Sequence, residues 1–95
     1  MSAADMEYSV HAEAQAEAME IELRITAQPL DEALQEFSRQ SGMQVIFFSG
    51  LTEGIQSPGV KGKYTVEAAL KALLAGSGLT FRLINVRTVE IRKAD

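Results

Sequence analysis

The 95-residue chain contains no cysteine and a single histidine, so several kinds of chemistry are excluded at the outset. Without cysteine there is no disulfide framework, no thiolate nucleophile and no cysteine-ligated metal site. The histidine, His11, lies near the N-terminus without a second histidine or a patterned carboxylate to form a metal site or a general base. We therefore expect neither a cofactor nor a bound metal ion.

Long apolar runs are also missing from the sequence. No stretch approaches the roughly 18 apolar residues that predict a membrane-spanning helix, and no basic and apolar signal peptide opens the chain. We expect a soluble chain without direct membrane insertion, either a mature protein or a fragment of a larger one.

A strong positive charge is absent as well. The formal net charge is −4, and residues 1–20 contain five acidic residues without any lysine or arginine, so residues 21–95 carry +1. The five acidic residues are Asp5, Glu7, Glu13, Glu17 and Glu20. Because a nearly neutral body lacks the field that attracts phosphates, we expect no nucleic-acid partner.

The sequence holds no recognisable catalytic arrangement. Ser41 and Ser77 have no neighbouring histidine, and the glycines follow neither P-loop nor dinucleotide-binding spacing. Asp31 and Glu32 are adjacent acids that suit a first helical turn better than a paired-carboxylate site. A domain this small also leaves few positions for an enclosed active site, so we do not expect an enzyme.

The first half of the chain shows a clear order of elements. Residues 1–19 have no regular apolar stripe, which favours a flexible leader. Alternation from Glu20 predicts a half-buried strand, and apolar residues at helical spacing predict a helix from Pro29 that stops at Gly42. The apolar run at 43–48 then predicts a second strand.

The second half repeats this order. A turn-rich connection is predicted at 49–59, followed by a short extended piece. Thr65 is predicted to cap a second helix that ends at Gly76 or Gly78. Two alternating stretches joined by a turn near Asn85 predict a final hairpin.

The two halves are related by an internal repeat. The 18 residues that start at Leu30 align without a gap with those that start at Val66, at a constant offset of 36. The identical pairs are Ala33 and Ala69, Leu34 and Leu70, Ser41 and Ser77, and Gly42 and Gly78. We therefore expect two βαβ units, each right-handed with its strands parallel, and an extra C-terminal strand.

The same segments carry a family likeness over residues 20–92. ITAQPL from Ile25, SGMQV from Ser41, SPGVKG from Ser57 and LAGSGL from Leu74 resemble, in this order, the secretin and TonB short N-terminal domain. In receptors this is the N-terminal signalling domain of a TonB-dependent outer-membrane receptor, a transducer. The resemblance therefore divides the chain into a leader at 1–19 and a signalling domain at 20–93.

The resemblance implies an α+β fold in which two βαβ repeats lie side by side, with two helices between two small β-sheets. It implies a periplasmic location within a receptor for an iron carrier of siderophore or haem type. The implied partner is the periplasmic domain of an inner-membrane anti-sigma regulator that controls an extracytoplasmic-function sigma factor. The alternative is a secretin-type periplasmic assembly domain.

The sequence departs from the family at Asn85, where the family usually has glycine in the last hairpin. The fragment is expected to be a monomer.

We predict that the partner-binding surface is an extended, basic segment that lies next to the C-terminal hairpin. The glycines of this segment would permit close approach of a partner backbone. The predicted residues are Ser57, Gly59, Val60, Lys61, Lys63, Arg82 and Arg87. Gly59→Arg is accordingly expected to block a partner strand and to leave the fold intact. The alternatives are that these charges only discourage edge aggregation, or that docking occurs on the first helix around Glu36 and Arg39.

Overall fold

The structure, a computed structural model, describes residues 20–94, so the predicted leader at 1–19 lies outside the described residues. In chain order the elements are β1 (Glu20–Ile25), β2 (Gln28–Pro29), α1 (Leu30–Ser41), β3 (Gln44–Ile46), α2 (Ser49–Thr52), β4 (Gln56–Ser57), β5 (Val60–Thr65), α3 (Val66–Leu73), β6 (Leu79–Asn85) and β7 (Thr88–Lys93). Over this range no helix has the length and apolar character needed to cross a membrane.

The strands form two main sheets with α1 and α3 between them. β1 pairs antiparallel with β5, so that Ile25 lies opposite Val60. The second sheet has the order β3-β7-β6, with β3 parallel and β6 antiparallel to β7. Helix α1 packs on β1, β3 and α3, and α3 packs on β5. The predicted α+β fold, with two helices between two small sheets, is confirmed.

The expected pairing within each βαβ unit was wrong. The strands that flank α1 lie in different sheets, and so do the strands that flank α3. In residues 20–94 the parallel pair is instead β3 with β7, which belong to different halves of the chain. The physical reason is that each helix is covered on two sides, so each crossover leads from one sheet to the other.

Both helices bury one apolar stripe, and the two stripes occupy equivalent positions of the repeat. The buried residues are Leu30, Ala33, Leu34 and Phe37 in α1 and Val66, Ala69, Leu70 and Leu73 in α3. Each pair is separated by the offset of 36 found in the sequence. Leu23 and Ile25 from one sheet and Val89 and Ile91 from the other complete the core. The repeat is therefore a repeat of core positions.

The C-terminus of α1 and the N-terminus of α3 use the predicted residues, whereas α3 ends at Leu73 rather than at the predicted Gly76 or Gly78. Residues 74–78 form turns instead. The Thr65 hydroxyl accepts the backbone N–H of the third residue of α3 at 3.1 Å, as an N-cap does. The Ser41 and Ser77 hydroxyls each accept the backbone N–H two residues further on, both at 3.0 Å. Gly42 and Gly78 follow with φ of 77°, which a residue with a side chain rarely adopts. Both serines therefore shape the turn from helix to strand.

The connection predicted as turns contains two short elements, α2 and β4, that the sequence did not indicate. β4 pairs with β2, with Gln28 opposite Ser57. The backbone N–H of Leu30 donates to the carbonyl oxygen of Ile55 at 2.8 Å. The connection is thus tied to the start of α1.

The last hairpin closes without glycine. Asn85 pairs with Thr88, and the turn between them consists of Val86 and Arg87. The Asn85 Oδ1 accepts the backbone N–H of Arg87 at 2.8 Å, and no described residue other than glycine has a positive φ. A register shift at Ile84 adjusts the strands to this turn. Asn85 therefore acts through its side chain rather than through a left-handed backbone.

Candidate partner-binding surface

Two of the residues predicted for the partner surface are buried. Ser57 is 2% exposed and Val60 is 5% exposed. The Ser57 hydroxyl donates to the carbonyl oxygen of Leu73 at 3.0 Å and accepts the N–H of Gly59 at 3.2 Å. Ser57 therefore anchors the connection to the end of α3. The prediction that Ser57 and Val60 belong to an exposed partner surface was wrong, because both side chains are buried in the domain.

Gly59 is needed for packing inside the domain. Its φ is 80°, and a Cβ atom at this position would lie 2.4 Å from the carbonyl oxygen of Ile25 and 2.7 Å from the carbonyl carbon of Thr26. The missing side chain lets two segments of this chain approach each other, rather than admitting a partner strand. Gly59→Arg would consequently disturb the fold, which corrects the expectation that it leaves the fold intact.

Lys61 and Lys63 remain exposed on the outer face of the β1–β5 sheet. They follow each other at period two on one face, as the sequence predicted. Their cross-strand neighbours are Arg24 opposite Lys61 and Glu22 opposite Lys63. This face is therefore of mixed charge, with acidic residues beside the basic ones.

Arg82 and Arg87 belong to the other sheet. The Arg82 Nη2 lies 3.8 Å from Glu90 Oε1 on the neighbouring strand. Arg87 lies in the hairpin turn, and its carbonyl oxygen accepts the N–H of Gln44 at 2.7 Å. Because the helices separate the two sheets, the structure does not bring these arginines together with Lys61 into one surface.

The alternative surface on α1 is polar. A depression there is lined by Gln28, Glu32, Gln35, Glu36 and Arg39. Arg39 donates to the Glu36 carboxylate within the helix. The pKa of Glu36 is lowered below its usual range, most strongly by the hydrogen bond from Gln40 and next by the hydrogen bond from Arg39. These groups bind one another, and the depression has no apolar anchor.

Sequence reasoning missed an exposed apolar surface. Within residues 20–94 the large exposed apolar side chains are Ile46 at 48%, Phe48 at 76%, Ile84 at 47% and Val86 at 36%. Ile46 and Ile84 lie in strands of the three-stranded sheet, Val86 follows β6, and Phe48 lies two residues beyond the end of β3. The signal was the unbroken apolar run at 43–48, because a strand covered on one face exposes every second side chain.

A cleft of about 270 Å³ adjoins this sheet. It is lined by Ile21, Ser41, Gly42, Met43, Val66, Val86 and Arg87. Among the described residues that line it, Arg87 is the one with an ionisable side chain. Over the described range, no group of three or more histidine, cysteine, aspartate or glutamate side chains is placed to hold a metal ion.

Comparison with known proteins decides the family. Residues 43–93 match the family described as the secretin and TonB N terminus short domain. The chain belongs to this family. It is 35% identical over 66 residues to a ferric-pyoverdine receptor of Pseudomonas sp. strain M114, a match that covers 70% of this chain. It is 39% identical over 62 residues to the ferripyoverdine receptor of Pseudomonas aeruginosa, covering 65% of this chain. The chain spans about 8% of the length of these curated relatives.

Solved structures of this family share the fold. The crystal structure of the Pseudomonas aeruginosa outer-membrane receptor bound to ferripyoverdine matches 80% of this chain and 10% of the receptor, with a TM-score of 0.75 and 33% identity. The solution structure of the periplasmic signalling domain of an outer-membrane iron transporter from Pseudomonas putida matches 81% of this chain and 93% of that domain. Its TM-score is 0.72 at 28% identity. The chain is thus similar in sequence and fold to the periplasmic signalling domains of outer-membrane receptors, and the predicted periplasmic location is confirmed.

Proposed function

We propose that this signalling domain belongs to a receptor for a pyoverdine-type siderophore and binds the periplasmic domain of an inner-membrane anti-sigma regulator. Through that regulator it controls an extracytoplasmic-function sigma factor. The observation that carries the proposal is the similarity to a solved signalling domain, of which the match covers 93%. The ferric-pyoverdine receptors among the relatives favour a siderophore over haem as the transported iron carrier.

The proposal assigns binding to the domain and no catalytic step. The hydroxyls of Ser41 and Ser77 already accept backbone N–H groups, so they serve the fold rather than attack a substrate. The ion pair of Arg82 with Glu90 lies on an open sheet face instead of an enclosed site. These observations support a domain that works through its surface.

The secretin-type assembly domain remains the second candidate function, because the matched family includes secretins. The two are distinguished by the sequence that follows residue 95 in the gene. A plug and barrel would support the receptor, whereas further ring-building domains would support the secretin. The similarity to receptors favours the first.

The binding claim is tested by titration calorimetry with the 95-residue chain. The probes are the purified periplasmic domains of the inner-membrane anti-sigma regulators encoded in the same genome, and the control is an unrelated periplasmic protein. We expect one regulator to bind in a 1:1 complex with a Kd of about 1 μM or tighter. Failure of every regulator to bind would contradict the proposed function.

The signalling claim is tested in cells that carry the full receptor. We expect deletion of residues 20–93 to abolish induction of a sigma-dependent reporter by ferric pyoverdine, while uptake of ferric pyoverdine continues. The two readouts are separate because the carrier is transported by the rest of the receptor. Reporter induction that survives the deletion would contradict the proposal.

A further inference from the structure

A row of side chains crosses the outer face of the three-stranded sheet. The register places Ile46 of β3 opposite Glu90 of β7, and Glu90 opposite Arg82 of β6. The alternate residues, such as Val45 and Phe81, pack on the core from the inner face. We name the outer sheet face by six residues: Ile46, Phe48, Arg82, Ile84, Glu90 and Arg92.

The outer sheet face exposes apolar side chains of the size that anchors interfaces. Phe48 is 76% exposed, and Ile46, two residues before it on the same face, is 48% exposed. Ile84 follows the inward-facing Leu83 and is 47% exposed. Covering such side chains removes apolar area from water, which favours association. Aromatic residues and arginine are enriched in interface cores, and a cluster of them marks a docking surface.

The charge of the outer sheet face indicates the chemistry of its partner. Arg82 and Arg92 contribute two positive charges. The acidic residue among them, Glu90, lies 3.8 Å from Arg82 and offsets part of its charge. A positive margin around apolar anchors is complementary to an apolar patch with carboxylates at its rim.

The opposite sheet lacks this combination. The outer face of the β1–β5 sheet pairs Glu22 with Lys63 and Arg24 with Lys61, and Glu20 lies on the same face. Its residues are charged, and lysine and glutamate are depleted in interface cores. The two faces point away from each other across the helix layer.

We propose that the regulator's periplasmic domain docks on the outer sheet face through an apolar patch rimmed by carboxylates. Phe48 and Ile46 are the apolar anchors, and Arg82 and Arg92 meet the acidic rim. The inference rests on the proposed function, since it names the surface through which that function operates.

The test compares two sets of variants of the 95-residue chain, titrated with the regulator domain that binds the wild type. The first set is Phe48→Ser, Ile46→Thr and Arg92→Glu on the outer sheet face. The matched controls are Lys61→Glu and Lys63→Glu on the opposite sheet. All these side chains are exposed, and serine suits the position before the short helix α2, so thermal unfolding should be unchanged.

We expect Phe48→Ser to raise Kd by about tenfold or more, because it removes the exposed aromatic anchor of this face. Arg92→Glu should raise Kd most at low salt, since exposed charges are screened over about 8–10 Å near physiological ionic strength. The control variants should stay within about twofold of the wild type. This pattern would support the proposed surface.

Three outcomes would overturn the inference. If the wild type binds and Phe48→Ser and Arg92→Glu bind equally well, the docking surface is elsewhere although the proposed function stands. If the control variants lose binding instead, the opposite sheet is the docking surface. If regulator binding is unchanged but Phe48→Ser loses binding to phosphatidylglycerol vesicles, the face serves a membrane surface. Wild-type chain that binds no regulator would contradict the proposed function itself.

Discussion

The side-chain amide of Gln40 pairs with both backbone groups of Arg24. The Gln40 Nε2 donates to the Arg24 carbonyl oxygen at 2.9 Å, and the Gln40 Oε1 accepts the Arg24 N–H at 2.8 Å. Arg24 lies in β1, whose other edge pairs with β5. Gln40 on α1 thus occupies the free edge as a partner strand would, and blocks strand addition there. The Gln40 Nε2 also donates to Glu36 Oε2 at 3.2 Å, which holds the amide in place.

Gln40→Ala should open this edge. We expect a loss of about 1 kcal/mol in the free energy of unfolding, because two hydrogen bonds are replaced by bonds to water. The exposed edge should also promote self-association at high concentration. Urea denaturation and sedimentation velocity measure the two effects. If the urea midpoint is unchanged and the variant stays monomeric at high concentration, Gln40 does not protect the edge of β1.

Glu36 should make part of the stability depend on pH. Its pKa is lowered in the folded state, first by the hydrogen bond from Gln40 and then by Arg39. Its contribution is therefore complete above the ordinary glutamate pKa of about 4.3 and is lost as the pH falls through the lower folded value. The stability difference between wild type and Glu36→Gln, measured by denaturation from pH 7 downwards, should shrink in acid. A difference that grows as the pH falls would have the wrong sign.

Leu34→Ala and Leu70→Ala should have similar effects on stability. Both side chains are 0% exposed and occupy equivalent positions of the repeat. We expect each substitution to cost about 2–5 kcal/mol, which combines lost burial with the cavity left behind. Lys71→Ala on the exposed side of α3 is the control. An unaltered urea midpoint for either leucine variant would contradict the claim that the two leucines fill equivalent core positions of the repeat.

Gly59→Ala should destabilise the domain by more than about 1 kcal/mol, since even a methyl group would collide with the backbone at Ile25. Gly50→Ala is the matched control, because a Cβ atom at Gly50 meets nothing within 4 Å. Thermal unfolding of both variants checks the contrast. Equal melting temperatures would mean that the close approach at Gly59 is relaxed in solution.

The sequence allowed the periodic elements to be predicted but not their partners. Alternation and helical spacing identify which face of an element is buried, and this located β1, α1, α3, β6 and β7. The same patterns do not show which strands pair with each other. Pairing of Ile25 with Val60, across two halves of the chain, depends on both helices being enclosed between two sheets.

The candidate surface was harder to predict, because polarity and glycine are ambiguous in one sequence. Ser57 was assigned to the surface, yet its hydroxyl donates to Leu73, which is 16 residues away. Gly59 was interpreted as access for a partner, although its neighbour is Ile25 of the same chain. Conversely, Phe48 belongs to an apolar run that was predicted as a strand, yet it is exposed two residues beyond the end of β3.

The most direct test follows the backbone amide signals of the ¹⁵N-labelled 95-residue chain by NMR while the regulator's periplasmic domain is added. We predict that signals from β3, β6 and β7 shift or broaden in a saturable manner, with those of Ile46, Phe48 and Ile84 among the most affected. Signals from β1 and β5 should change little. A titration that perturbs no signals, or one that perturbs chiefly β1 and β5 around Lys61 and Lys63, would contradict it.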